Sequence, residues 1–309
     1  MSTLTADRPA PGSSLKGLMR RHPLVAYFAL AFAGTWALFF PVALSRRGLG
    51  VLPVAFPPAA VFVLYFLATY AGPFLSAFVV TAATDGKPGV RQLLRRMRQW
   101  RVGVRWYLVI LAGYPLVFLV GLTPLLGTQP LAGLVQRWPL LLSVYLPNIL
   151  IGLILPALGE ETGWRGFALP RLEAQYGALG GSLILGSLHA LWHLPAYLAP
   201  GFILSGPFDM TVFVANSLAI LAATLIWTWV VNNAQASILI AMLVHATSNA
   251  TSALIPKLLP ALPDDPWGAF KILGGLALLI VVLTRGRLAY RRAVAQPGDG
   301  LQPAAVPLP

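Results

Sequence analysis

The chain has 309 residues, of which 57% are hydrophobic and only 10% charged, with a formal net charge of +13; its mean hydropathy is +0.75. This composition excludes an ordinary soluble domain and is that of a membrane protein. With no cysteine in the chain, disulfides and thiol chemistry are excluded as well.

A helix needs about 20 apolar residues to cross a bilayer. Eight runs of that kind follow one another, at roughly 24 to 44, 58 to 83, 105 to 126, 139 to 159, 180 to 200, 211 to 231, 237 to 255 and 267 to 284. The second is crowded by Pro53, Pro57, Pro58 and Pro73, which threaten to break it or make part of it re-entrant. The expected fold class is therefore all-α, a polytopic transmembrane helical bundle of about eight spans. Residues 1–309 then form a single membrane-embedded domain, with a polar segment at 1–22, the bundle at 24–284 and a basic, then disordered, tail at 285–309.

The positive charge is not a nucleic-acid footprint, because it sits between spans. Arg8, Lys16, Arg20 and Arg21 precede the first span. Lys87, Arg91, Arg95, Arg96, Arg98, Arg101 and Arg105 fill the second connection, and Arg285, Arg287, Arg291 and Arg292 follow the last. Eight spans put all three clusters on one side, which the positive-inside rule makes cytoplasmic, both termini included. Membrane lipids, not nucleic acid, are the expected surroundings. Trp100, Trp106, Tyr107 and Trp138 read as interfacial anchors.

Against this apolar background the few ionisable residues stand out. The three glutamates are Glu160, Glu161 and Glu173, and His189, His193 and His245 fall inside spans. Each charge at a span centre costs about 2.5 to 3.5 kcal/mol, so Glu160, Glu161 and Arg165 must lie at the interface or face one another in a wet cavity. Helix geometry favours the cavity. Glu161 and Arg165 share a face four residues apart, as do His189 and His193, and His245 and Asn249. Glu160 points about 100° away from Glu161, so one acid is free for chemistry while the other is held by arginine. The depths are expected to differ, with the glutamates near the end of their span; starting the fifth helix near Ser182, after Gly180 and Gly181, reduces the mismatch. Carboxylate, imidazole and carboxamide together suit water activation and oxyanion stabilisation, hence amide hydrolysis. HExxH, GxSxG and paired intramembrane aspartates are absent.

The ordered set Glu160-Glu161-x-x-x-Arg165, His193 ending a short segment, and His245-x-x-x-Asn249 resembles the CAAX-protease and bacteriocin-processing family of intramembrane endopeptidases, whose members carry EExxxR, FxxxH and HxxxN or HxxxD. The segment RRMRQWRVGVRWYLVILAG also looks like bacterial members, which implies a bacterial plasma membrane. The resemblance implies Glu160 as general base paired with His193, Glu161 held by Arg165, and His245 with Asn249 at the oxyanion. It implies a peptide or lipidated-peptide substrate. A divalent metal such as zinc, held by His193, His245 and Glu160, and a metal-free mechanism both stay open. His189 replaces the aromatic residue of the second motif. It reads first as a packing residue bonded to a neighbour and second as an extra ligand. Two other functions stay open: a non-catalytic scaffold or immunity protein of the same fold, and a transporter with an intramembrane proton relay. A repeat-built transporter would need ionisable span residues in the first half, where none is found.

Overall fold

A computed structural model describes residues 14–199 and 207–289. The expected disordered tail beyond 289, including Arg291 and Arg292, lies outside the described residues, as does Arg8. Besides the short helices Thr123–Leu126 and Gln129–Gln136, the helices are α1 (Leu15–Arg21), α2 (Pro23–Leu44), α3 (Pro58–Thr84), α4 (Gly86–Met97), α5 (Val104–Gly121), α6 (141–176), α7 (178–197), α8 (Met210–Asn233), α9 (Ile238–Leu258) and α10 (Gly268–Thr284).

Among the described residues, six helical runs are long and apolar enough to cross a membrane, and Gly268–Thr284 is a shorter apolar helix. The fourth run, Leu141–Tyr197, has 57 residues. Laid straight it would reach about 85 Å, nearly three hydrocarbon thicknesses. It is not straight: Gly177 has φ 70° and ψ 171°, a region essentially reserved for glycine, and the chain reverses there. A Cβ on Gly181 would meet the Leu172 carbonyl carbon at 3.0 Å and the Glu173 nitrogen at 2.9 Å, so α7 packs tightly back onto the end of α6. Counting that run as α6 and α7 and adding α10 gives eight apolar segments, in an all-helical bundle.

Two sequence expectations are corrected. The fourth span does not end near residue 159 but continues through Glu160, Glu161 and Arg165 to residue 176, because Glu161 pairs with Arg165 and Glu160 bonds to His189 inside the bundle instead of stopping the helix. The reversal is at Gly177, not at the Gly180–Gly181 pair, since only Gly177 adopts the required dihedrals.

The prolines do not break the helices, and several of them accompany a wider turn. Wide π-helical turns occur at Tyr70–Phe74, Val109–Gly113, Leu141–Tyr145, Leu153–Ala157 and Trp164–Ala168, and each contains a proline or has one within two residues (Pro73, Pro115, Pro147, Pro156, Pro170). A proline removes one i→i−4 bond and clashes with the carbonyl a turn back; a wider turn accommodates both defects. The second span is consequently continuous, with Pro58 harmless in the first turn. Carbonyls in these turns are taken up by side chains. The Tyr145 hydroxyl donates to Leu111 O at 2.6 Å, Tyr70 donates to Ile154 O, and Arg96 donates to Arg165 O at 3.0 Å and Gly166 O at 2.8 Å.

Hydrogen bonds sort the connections by end. At one end Arg20 reaches Ala83 O, Arg171 pairs with Asp85, Ser237 Oγ donates to Gln99 O, and Arg96 donates to Ala236 O. At the other, Arg137 Nη1 donates to Lys257 O at 2.9 Å, and Lys271 pairs with Asp265 at 2.9 Å. The described members of the three basic clusters thus gather at the first end.

Helix α9 is the hub. Buried residues make up 72% of its most apolar window, against 22–44% for the other long apolar runs. One apolar core joins α5, the start of α6, α8, α9 and α10, and a second joins α2, α3, α4, α6, α7 and the start of α9. The candidate site lies where α6, α7 and α9 pass between these two cores.

Candidate active site

Glu160, Glu161 and Arg165 are fully buried in the middle of α6. Their backbone can reach this depth because small residues let α6 approach its neighbours. A Cβ on Gly159 would lie 2.5 Å from Thr69 Oγ1, and one on Gly163 would lie 2.7 Å from Pro73 O.

Two groups result. In the first, Glu161 Oε1 accepts from Arg165 Nη1 at 3.0 Å and from His245 Nδ1 at 2.8 Å. Arg165 Nη2 donates to Thr224 Oγ1 at 3.2 Å, and the guanidinium sits 4.8 Å from the centre of the Trp227 ring, which also faces His245 at 5.1 Å. Because a carboxylate only accepts, His245 carries its proton on Nδ1 and presents Nε2 elsewhere.

In the second group, His189 Nε2 lies 2.9 Å from Glu160 Oε2. His193 Nδ1 lies 2.9 Å from the His189 carbonyl, one turn earlier on α7. A carbonyl only accepts, so Nδ1 of His193 holds the proton and Nε2 keeps its lone pair. Ligand-type atoms of Glu160, His189 and His193 all lie within 4.8 Å of one another. Trp164 and Trp192 wall this group, with ring centres 5.1 Å from His189 and 4.8 Å from His193 respectively. Trp36 Nε1 holds the Trp192 carbonyl at 3.1 Å.

Several buried polar atoms around these groups make no protein hydrogen bond, among them Glu160 Oε1, Glu161 Oε2, Arg165 Nε and His189 Nδ1. Buried polar groups are ordinarily paired, so a concentration of exceptions marks a place built to meet something other than its own chain.

Of the residues singled out by sequence, Glu161, Arg165 and His245 come together, as do Glu160, His189 and His193. The hydrogen bond of Glu160 goes to His189, not to His193, because His193 is held by a backbone carbonyl and is half-buried. His245 is not in the Glu160 donor group, since its Nδ1 is engaged by Glu161. Asn249, one turn beyond His245, is exposed. Sequence reasoning missed Tyr65, whose hydroxyl interacts with Glu160, and Thr224 and Trp227, which hold Arg165. None of these belongs to a short motif, and only tertiary packing brings them in.

Residues 142–251 match the family model described as type II CAAX prenyl endopeptidase Rce1-like. The matched stretch runs from the start of α6 into α9 and contains both groups. Over that stretch the chain is similar to the type II CAAX prenyl endopeptidases. A protein of Methanococcus maripaludis called CAAX prenyl protease 2 is 24% identical over 239 residues, which cover 74% of this chain and 83% of that protein. The match and the apolar runs mark the chain as an integral membrane protease, a hydrolase.

Proposed function

We propose that the chain hydrolyses a peptide bond inside the bundle using water activated by Glu160. The observation that carries this reading is the fully buried Glu160 carboxylate, hydrogen-bonded to His189 through Oε2 and unpaired at Oε1. Such a carboxylate can take a proton from water at Oε1 while the imidazole fixes its orientation. His193, with a free Nε2, is the second group that can exchange a proton with water or the leaving amine. His245, braced at Nδ1 by Glu161, can donate from Nε2 when protonated, and the exposed Asn249 carboxamide adds a second donor for the developing oxyanion. Arg165 holds Glu161 in place through the bond from Nη1 to Oε1.

The substrate is a peptide or a lipidated peptide. The name of the Methanococcus relative points to a prenylated C terminus. Placed in a bacterial plasma membrane with the basic end cytoplasmic, the site opens toward the cytoplasm. His245 lies eight residues beyond Ser237 and His189 eleven beyond residue 178, so both sit about 12–17 Å from that end.

The test is cleavage of quenched-fluorescent peptides, prenylated and unprenylated, by the purified full chain and by Glu160→Gln. Loss of a positioned acid–base group is expected to slow cleavage by about 10²–10⁴-fold with the melting midpoint retained. Cleavage by Glu160→Gln at the wild-type rate would refute the assignment.

A further inference from the structure

We propose that the outward face of α4 binds the headgroups of anionic phospholipids. Lys87, Arg91 and Arg95 follow one another at four-residue intervals along α4, Arg98 stands at its C-terminal cap, and all four are exposed. Residues four apart share a helix face, so these cations form one stripe. Among the described residues no acid pairs with any of them. Asp85, at the N-cap of α4, is engaged by Arg171 and makes no cap bond.

The stripe costs the helix that carries it. Cations one turn, about 5.4 Å, apart repel each other well inside the Debye length of about 8–10 Å. Lys87 sits in the first turn, where the helix dipole disfavours a positive charge and no acid balances it. Orientation in the membrane asks only for positive charge somewhere in the connection. At the same end of the bundle Arg20, Arg96 and Arg171 are each taken up by protein acceptors, whereas the stripe is left for an acceptor outside the chain. A row of unanswered cations on one face is what a polyanionic surface completes.

The place of α4 says which surface that is. The helix follows α3 directly and a short loop joins it to α5, so it lies where the bundle leaves the hydrocarbon. On its inner side Leu93 and Met97 pack into the core that joins α2, α3, α6 and α7. Leu94 and Trp100, 38% and 60% exposed, stand out beside the cations, and the Arg101 guanidinium rests 5.0 Å from the centre of the Trp100 ring. Apolar and aromatic groups interleaved with cations suit the depth at which lipid phosphates meet the first acyl carbons, and they favour a lipid over a soluble acidic partner.

The same helix braces the site from behind. Arg96 donates to the carbonyls of Arg165, Gly166 and Ala236, and Gln99 O accepts from Ser237 Oγ at the N-cap of α9. A headgroup held by the stripe therefore steadies the element that fastens α6 and the start of α9. What this does for cleavage rests on the proposed peptidase function; the binding does not.

The experiment incubates the full chain, purified in neutral detergent, with equal amounts of phosphatidylglycerol and phosphatidylcholine of the same acyl chains, and counts retained lipid by native mass spectrometry. Preferential retention of phosphatidylglycerol is expected, and the preference should fall as salt rises from about 0.05 to 0.5 M. Each cation near an anionic surface is worth about fivefold in affinity, so Arg91→Gln/Arg95→Gln/Arg98→Gln should reduce the preference on the order of 100-fold. The salt dependence is read on the wild type and needs no variant to fold. Equal retention of the two lipids by the wild type, a preference indifferent to salt, or an unchanged preference in a folded triple variant would overturn the site. Retention of a polyglutamate peptide in place of phosphatidylglycerol would also overturn it and assign the face to an acidic protein. Phosphatidylglycerol retained without cleavage of any peptide would sink the peptidase reading and leave the lipid site standing.

Discussion

Replacing Arg165 with methionine tests whether the Glu161–Arg165–His245 group carries stability as well as chemistry. The guanidinium is fully buried, 3.0 Å from Glu161 Oε1 and 3.2 Å from Thr224 Oγ1, and rests 4.8 Å from the Trp227 ring. Methionine keeps most of the volume but leaves the Glu161 carboxylate with no cation, and breaking a buried pair from one side costs about 3–5 kcal/mol. At roughly 2.1 cal/mol/K of unfolding entropy per residue, that is a drop of about 5–8 °C in melting midpoint for a chain of this length. In Glu161→Gln/Arg165→Met both charges go together, Gln Oε1 can still accept from His245, and most of the loss should return. Thermal unfolding of the purified protein in detergent, followed by tryptophan fluorescence, reads both variants. A single variant that melts with the wild type, or a double variant as unstable as the single, would refute the account of a charge that needs its partner.

Other sites give further expectations. Gly177→Ala places a Cβ on a backbone at φ 70° and ψ 171° and should cost about 1–3 kcal/mol, read as a lowered midpoint; an unchanged midpoint would mean the reversal tolerates ordinary dihedrals. Gly72→Val puts its Cβ 2.0 Å from Thr35 Oγ1 and 2.6 Å from Ala31 O. The overpacking should cost about 1–3 kcal/mol by forcing α2 and α3 apart, and thermal unfolding again checks it. Arg96→Leu withdraws charged donors from the carbonyls of Arg165, Gly166 and Ala236. It should lower stability by about 1.5–3 kcal/mol and slow peptide cleavage as well, because the freed turn carries Arg165; a cleavage rate equal to wild type would separate that turn from the site.

Much of this was legible in the sequence, for physical reasons. Apolar runs of bilayer length located seven of the eight helices to within a few residues, and the i, i+4 spacing paired Glu161 with Arg165 correctly. The fourth span was misjudged because hydropathy counts charges singly, while Glu161 and Arg165 enter the bundle as one pair. Pro73 and Pro156 looked like breaks because sequence rules assume a regular helix; the π turns that absorb them depend on tertiary donors such as Tyr70. Glu160 was expected beside His193. The one-turn offset to His189 follows from where Gly177 starts α7, and no local pattern fixes that within four residues.

The hairpin of α6 and α7 also bears on how such a protein enters a bilayer. Glu161 carries its counter-charge one turn away on the same helix, and Glu160 finds His189 only 29 residues later, across a single tight reversal. Glu160, Glu161 and Arg165 are therefore each answered within one pair of neighbouring segments, before α8 and α9 have been made. The hairpin can cross as a nearly neutral unit, and His245 arrives afterwards to a carboxylate already ordered to receive it.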